Sequence, residues 1–270
     1  MLPKKDLRTI CPTVCRILGL RIPRTAETMH LPDVTESMDG LERLAVVVVD
    51  AFGVSTWAKA WDKTPFFNTL SGHHHKHLAS MMPSITPVNF ATMLTGASPE
   101  EHKVEDRTQD LKLETILDVL SESGGISATA ARAESSLGIL ISPNSDRPGK
   151  AYSNTDQEVT EIAVNHINAC VDLLWVQLLD VDEIGHRHGP TSSESMKACM
   201  RADKNLRQIA EAALNEGYGL LALADHGQHE YLRDDGTTGG THGTAMEEDR
   251  VVPLVWASNN ELGHIDLINS

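Results

Sequence analysis

Three apolar runs in this chain each stop at an aspartate: Leu44–Val49 before Asp50, residues 173–179 before Asp180 and Asp182, and residues 220–224 before Asp225. A run of this length that is apolar at nearly every position, with no polar alternation, is how a strand buried on both faces of a parallel sheet reads, and ligands gather at the carboxyl ends of such strands. Two of the runs bring histidines with them, in DVDEIGH (180–186) and DHG (225–227), and an isolated THG (241–243) follows. Carboxylates and imidazoles drawn to one sheet edge from distant parts of the chain predict a site for two divalent cations.

From residue 44 onward strand-like and helix-like segments alternate, with further strands predicted at 126–132 and 251–257 and helices at 87–95, 111–121, 157–169 and 192–216. That alternation predicts an α/β fold around a mostly parallel sheet. The last helix carries apolar residues at helical spacing and stops near Gly217. Residues 1–40 hold one plausible helix (7–18) and a polar, proline-bearing stretch, and are expected to pack as an N-terminal extension on a domain of residues 41–270. The GHHHKH tract at 72–77 reads as a solvated loop.

At 270 residues the chain can bury a sizeable core without staples. No apolar run approaches the roughly 18 residues of a membrane span, and Arg16 and Arg21 interrupt any secretory-type apolar core. The four cysteines are sparse for a disulfide scaffold, and Cys11 and Cys15 are spaced as core neighbours on a helix. A cytoplasmic protein is the expectation. The net charge of −15 argues against nucleic-acid polymers and anionic membranes as partners. A small anionic substrate stays open, because two bound dications would dominate the local field.

Thr86 stands before Pro87, a periodic apolar stretch and Gly96, which reads as an N-cap, a proline at the first helical position and a closing glycine. An N-cap hydroxyl sits where free N–H groups and the positive helix end converge, a place that favours an alkoxide and cradles a phosphoryl group. Alone, this pattern describes a cap. Beside a two-metal cluster it describes a nucleophile, since a metal lowers the pKa of a bound hydroxyl.

Asp182 and His186, four apart, share one face of a helical turn, and His242 completes a set that suits zinc, with manganese or iron also compatible. Asp225 and His226, with Asp50 and Thr86, would hold the second ion. Of Asp180 and Asp182 only one is expected as a ligand, and Asp182 has the spacing to His186. Any one aspartate at a strand end is more often a cap or turn residue; six such donors are much harder to obtain by chance. His102 reads as a loop residue without chemistry, His188 as exposed or standing behind the ligands, and Phe52, Trp57 and Trp61 as packing residues.

In order along the chain, VVVVDAFG (46–53), PSITPVNFATMLTG (83–96) with ASPEEHKV after it, LLDVDEIGHRHGP (178–190), LADHG (223–227) and THG resemble the motifs of the alkaline phosphatase superfamily, in particular its type I phosphodiesterase/nucleotide pyrophosphatase group. The resemblance implies a three-layer α/β sandwich with two metal ions, usually zinc. It implies that Asp182, His186 and His242 bind one ion, that Asp50, Thr86, Asp225 and His226 bind the other, and that Thr86 is the nucleophile of a two-step hydrolysis through a phosphothreonine. That group usually places an asparagine after the SPEEHKV-type segment to hold a phosphoryl oxygen. Here the stretch reads EDRTQD (105–110), which offers Arg107 as a replacement donor. His226 and His242 lie only 16 residues apart (242 − 226), which resembles the phosphomutase branch, yet no insertion between Thr86 and Asp182 is long enough for a large cap domain. The C/S-x-P-x-R setting of sulfatases is absent. PTVCRILGL (12–20) resembles a helix that the superfamily often carries near its C-terminus. The expected activity is therefore phosphodiester or pyrophosphate hydrolysis, with a phosphomonoester or phosphonate hydrolase next, a phosphomutase after that, and an inactive metal-binding relic as the non-enzymatic contrast.

Overall fold

The computed structural model describes residues 2–153 and 155–265. Nine strands follow among the described residues: β1 (Leu44–Val49), β2 (His75–Ala79), β3 (Ser127–Arg132), β4 (Arg147–Ala151), β5 (Leu173–Leu178), β6 (Gly219–Leu223), β7 (His229–Leu232), β8 (Thr238–Thr241) and β9 (Val251–Ala257). Seven form one sheet in the order β2-β9-β6-β1-β5-β3-β4. Within it β9 alone runs against its neighbours, so the sheet is mostly parallel, as the apolar runs predict. Strands β1, β5 and β6 are buried along their whole length, each side chain contributing ~1.5–3 kcal/mol of burial when large and apolar.

Helices cover the sheet in two groups. The Ser193–Asn215 helix, capped by the Ser192 hydroxyl, packs on the Asp156–Asn168 and Pro65–His73 helices and on β1 and β6. The Thr86–Thr95 helix packs with Ile10–Ile17 and Ile116–Glu122. Residues 2–40 share the main core: Ile10–Ile17 buries every side chain but Arg16, and the Ala79 N–H donates to Lys5 O at 2.9 Å. Gly96 closes the Thr86–Thr95 helix at φ +72°, and a Cβ there would stand 2.7 Å from the Ala26 side chain. No large cap is built between Thr86 and Asp182 among the described residues, where β3, β4, β5 and the helices around them intervene. No helix among them is long and apolar enough to cross a membrane.

Some expectations change. The helix predicted at 111–121 begins at Ile116, because Thr115 and Asp118 form a reciprocal capping box while Glu114 is held by Arg21. The 72–77 tract is not a solvated loop. It ends one helix and enters β2, the sheet's outer strand, because β9 offers it a free edge; His74 stacks on Trp256 at 5.1 Å and bonds Glu261 at 2.6 Å. The exposed His75 and His77 and the Lys76–Asp33 ion pair leave a polar rim on that edge.

Candidate metal centre

Sheet register builds the first half of the site. Val48 of β1 is paired with Leu223 of β6, so Asp50 and Asp225, each two residues farther on, leave the sheet side by side. Ala51 then takes a left-handed conformation (φ 58°), and its N–H donates to Asp225 Oδ1 at 3.3 Å. His226 lies beside them, with its Nε2 3.4 Å from Asp50 Oδ1 and 3.4 Å from Asp225 Oδ2. These three residues are wholly buried. Together they can offer one ligand atom each to a single ion.

The second half comes from a helix and a loop. β5 ends at Leu178, and the Asp180–His188 helix starts two residues later. Asp180 and Asp182 thus stand two apart on a helix and face different sides of it. Asp180 turns to Arg132 and to Arg201 (3.0 Å). Asp182 Oδ1 lies 3.3 Å from His186 Nε2 and 3.5 Å from His242 Nε2, the second trio able to hold an ion. His226 and His242 stack at 3.9 Å between ring centroids, so the two trios adjoin.

Thr86 meets both expectations and corrections. The Asn89 N–H donates to Ile85 O at 3.1 Å, so Ile85 is the N-cap and Thr86 the first helical residue. Its hydroxyl is therefore not spent on capping. Thr86 Oγ1 lies 3.1 Å from His226 Nε2 and 3.5 Å from Asp50 Oδ1, at the mouth of the buried trio. Each of the three imidazoles turns Nδ1 to a main-chain carbonyl: His186 to Gly240 O (2.8 Å), His242 to Ser84 O (2.9 Å) and His226 to Gly227 O (3.1 Å). An Nδ1–H donated to a carbonyl leaves Nε2 as a lone pair, which is the arrangement a metal-ligating histidine requires.

The electrostatics agree. Burial, then the charge of Asp182, pushes the Asp225 carboxyl up to about 7, and burial with Asp225 raises Asp50. Burial and the His242 ring push His226 down to about 3, keeping it neutral. Burial would raise Asp182, but the His186 hydrogen bond and the neighbouring rings hold it below the usual range; the same bond raises His186. Asp225 Oδ2 is buried with no hydrogen-bond partner, and His186 Nε2 faces His242 Nε2 at 3.1 Å. A cation in each trio satisfies all of these groups, so the residues present fit two divalent ions.

Other side chains serve the site without being foreseen. Arg132, at the end of β3, bonds Asp156, Asp180 and Glu183, and both Asp156 oxygens accept N–H groups at the start of the Asp180–His188 helix (Leu179 3.0 Å, Asp180 2.8 Å). Arg233 closes the other end of that helix on His186 O at 2.6 Å. Gln177 and Gln228 reach the carboxylates of Asp50 and Asp182. The one signal available in sequence was Gln177, an amide inside an otherwise apolar strand. Arg107 joins neither trio: it is exposed on the 105–110 turn and lines a cavity of about 260 Å³ with Arg132, Ser135, Tyr152 and Glu183. His102 is buried rather than in a loop, bonded to Thr92 Oγ1 at 3.1 Å, and His188 is exposed.

Comparison with known proteins shows what the chain is similar to. The family model of type I phosphodiesterase/nucleotide pyrophosphatase matches residues 44–110, and that of the metalloenzyme superfamily matches residues 141–264. Venom phosphodiesterase 2 of Crotalus adamanteus is 26% identical over 86% of this chain and 32% of its own length. The chain thus spans about a third of the length of the curated relatives it first matches (32%, 28% and 27%). Among solved structures, murine ectonucleotide pyrophosphatase/phosphodiesterase 5 superposes with a TM-score of 0.63 at 14% identity, over 80% of this chain and 88% of that one. Phosphonoacetate hydrolase from Sinorhizobium meliloti superposes with a TM-score of 0.54 at 17% identity, over 73% and 59%. At such identities these two establish a shared fold.

Proposed function

We propose, for a chain that belongs to the alkaline phosphatase superfamily and resembles its type I phosphodiesterase/nucleotide pyrophosphatase group, a metal-dependent hydrolysis of small phosphate esters through a phosphothreonine at Thr86. The observation that carries this reading is the uncapped Thr86 hydroxyl at the first turn of a helix, 3.1 Å from a buried imidazole that belongs to one trio and stacks on the other. Asp50, Asp225, His226 and Thr86 would hold one cation, and Asp182, His186 and His242 the other. Two oxygen- or nitrogen-rich sites of this kind suit zinc, with manganese or iron as alternatives.

When bound, such ions supply the positive charge that ionises the threonine hydroxyl and steadies the oxygens of the transferring phosphoryl group. Thr86 Oγ1 forms the new bond to phosphorus while the bond to the leaving oxygen breaks, and that oxygen takes up a proton. Water then attacks the phosphothreonine from the vacated side and restores the Thr86 hydroxyl. The three imidazoles are held in place, each with its Nδ1 on a main-chain carbonyl. The sequence match to phosphodiesterases favours a diester or pyrophosphate substrate. A monoester or phosphonate is the second reading, favoured by the 105–110 turn, where no asparagine stands and Arg107 remains free to meet an anion. The four free thiols, three of them buried, support a reducing compartment, and the strong negative charge supports a small substrate over a polymer or a membrane.

Turnover of bis-p-nitrophenyl phosphate, p-nitrophenyl phosphate and phosphonoacetate by metal-reconstituted protein tests the reading. Preference for the diester supports it, preference for either of the others selects the second reading, and tight metal binding without any turnover contradicts both.

A further inference from the structure

Each trio contains a carboxylate gripped by a buried glutamine. Gln177 is the only polar side chain of β5 (LLWVQL) and is 1% exposed. Its Nε2 donates to Asp50 Oδ2 at 2.6 Å, and its Oε1 accepts the Leu137 N–H at 2.9 Å, so both ends of the amide are used. Asp50 Oδ1, the other oxygen, is the one turned to His226 and Thr86. Gln228 is 3% exposed, and its Nε2 donates to both Oδ1 and the main-chain O of Asp182, at 2.6 and 3.1 Å. The chain makes room for it: a Cβ on Gly185, within the helix that carries Asp182 and His186, would stand 2.0 Å from Gln228 Oε1. A glycine inside a helix costs about 1 kcal/mol relative to alanine, and a buried amide costs more unless its bonds are made, so neither feature is neutral to the fold.

We infer that Gln177 and Gln228 are positioning residues, each dedicated to one cation: Gln177 orients Asp50 for the buried ion, and Gln228 orients Asp182 for the outer one. An amide N–H favours the ionised form of its carboxylate and fixes its rotation. In the Asp50 case it also occupies one oxygen, so that only the other faces the ion and the hydroxyl. Because the two glutamines come from different elements, β5 and the segment entering β7, neither can substitute for the other. The inference rests on the two-metal reading above.

The test uses the full chain, stripped with chelator and titrated with zinc, and in parallel with cadmium-113 followed by NMR. Wild-type protein is expected to bind two ions and to give two cadmium resonances, distinct because one ion has two imidazole ligands and the other has one. Gln228→Met is expected to weaken the site with two imidazoles by roughly 10–100-fold and leave the other within threefold; Gln177→Met is expected to do the reverse. Methionine keeps the unbranched shape and removes the donor, and the thermal midpoint of stripped protein reports any general loss of packing. Unchanged affinities in both variants, or equal losses at both sites that track a fall in that midpoint, would overturn the assignment while leaving the metal reading intact. A wild-type chain that binds neither zinc nor cadmium would overturn the metal reading and this inference with it.

Discussion

The two trios share a sheet edge but differ in how they are held. Asp50, Asp225 and His226 stand on strand ends with no exposed surface, their places fixed by the register of β1 and β6. Asp182, His186 and His242 stand on a helix and a loop, and the His186 side chain is 41% exposed. The inner trio packs two carboxylates that repel one another in a dry site, whereas the outer trio is an ion pair with a second imidazole. An ion in the inner trio would therefore complete the charge balance of the buried sheet edge, and one in the outer trio would stand nearer to solvent.

The largest effect expected is on chemistry. Thr86→Ala should lower turnover by at least ~10³-fold while both ions still bind, because the hydroxyl lies at the junction of the trios and caps nothing. Steady-state rates with metal content measured on the same sample check this.

The inner trio makes a sharper claim about sign. The Asp225 carboxyl, pushed up to about 7 from an ordinary value of 3.8, contributes stability below pH 4 that is lost as pH rises through 7. Stripped Asp225→Asn should therefore be more stable than stripped wild type at pH 8, by ~1–3 kcal/mol after solvent relaxation, and less stable once zinc is present. Urea melts with and without zinc at pH 5 and 8 decide it; the same ordering in both conditions would break the contrast between the trios. On the outer side, Arg233→Ala removes the cap on His186 O and should weaken only the outer ion, by about two- to fivefold in the zinc titration. The smallest effect lies outside both trios. Burial holds His102 down at about 4, so its neutral ring contributes stability present above pH 6.5 and lost as pH falls towards 4. His102→Gln should flatten that acid limb by ~1 kcal/mol in chelator-stripped urea melts, with zinc affinity unchanged.

Much of this was legible because buried parallel strands write themselves as apolar runs and end where their ligands begin. Asp50 and Asp225 follow from two such runs, and Asp182 with His186 from one helical turn. What the runs cannot give is order: nothing local states that β1 lies between β5 and β6. Thr86 was placed one position too early in the helix, because a proline fits the second helical residue as well as the first. The histidine tract was misread because its partner, β9, lies more than 170 residues away (251 − 79), and an edge strand of polar residues has no apolar signature. Gln228 and Arg233 act on ligand residues, and Asp156 and Arg132 on the start of the helix that carries two of them, all from other elements, so no spacing reveals them.

Anomalous diffraction from crystals grown with zinc tests the central claim most directly. The account predicts two peaks about 4 Å apart, one within ~2.2 Å of donor atoms of Asp50, Asp225 and His226, the other so placed against Asp182, His186 and His242, with Thr86 Oγ1 on the first. Zinc found only at the surface histidines of β2, or in neither trio, would contradict it.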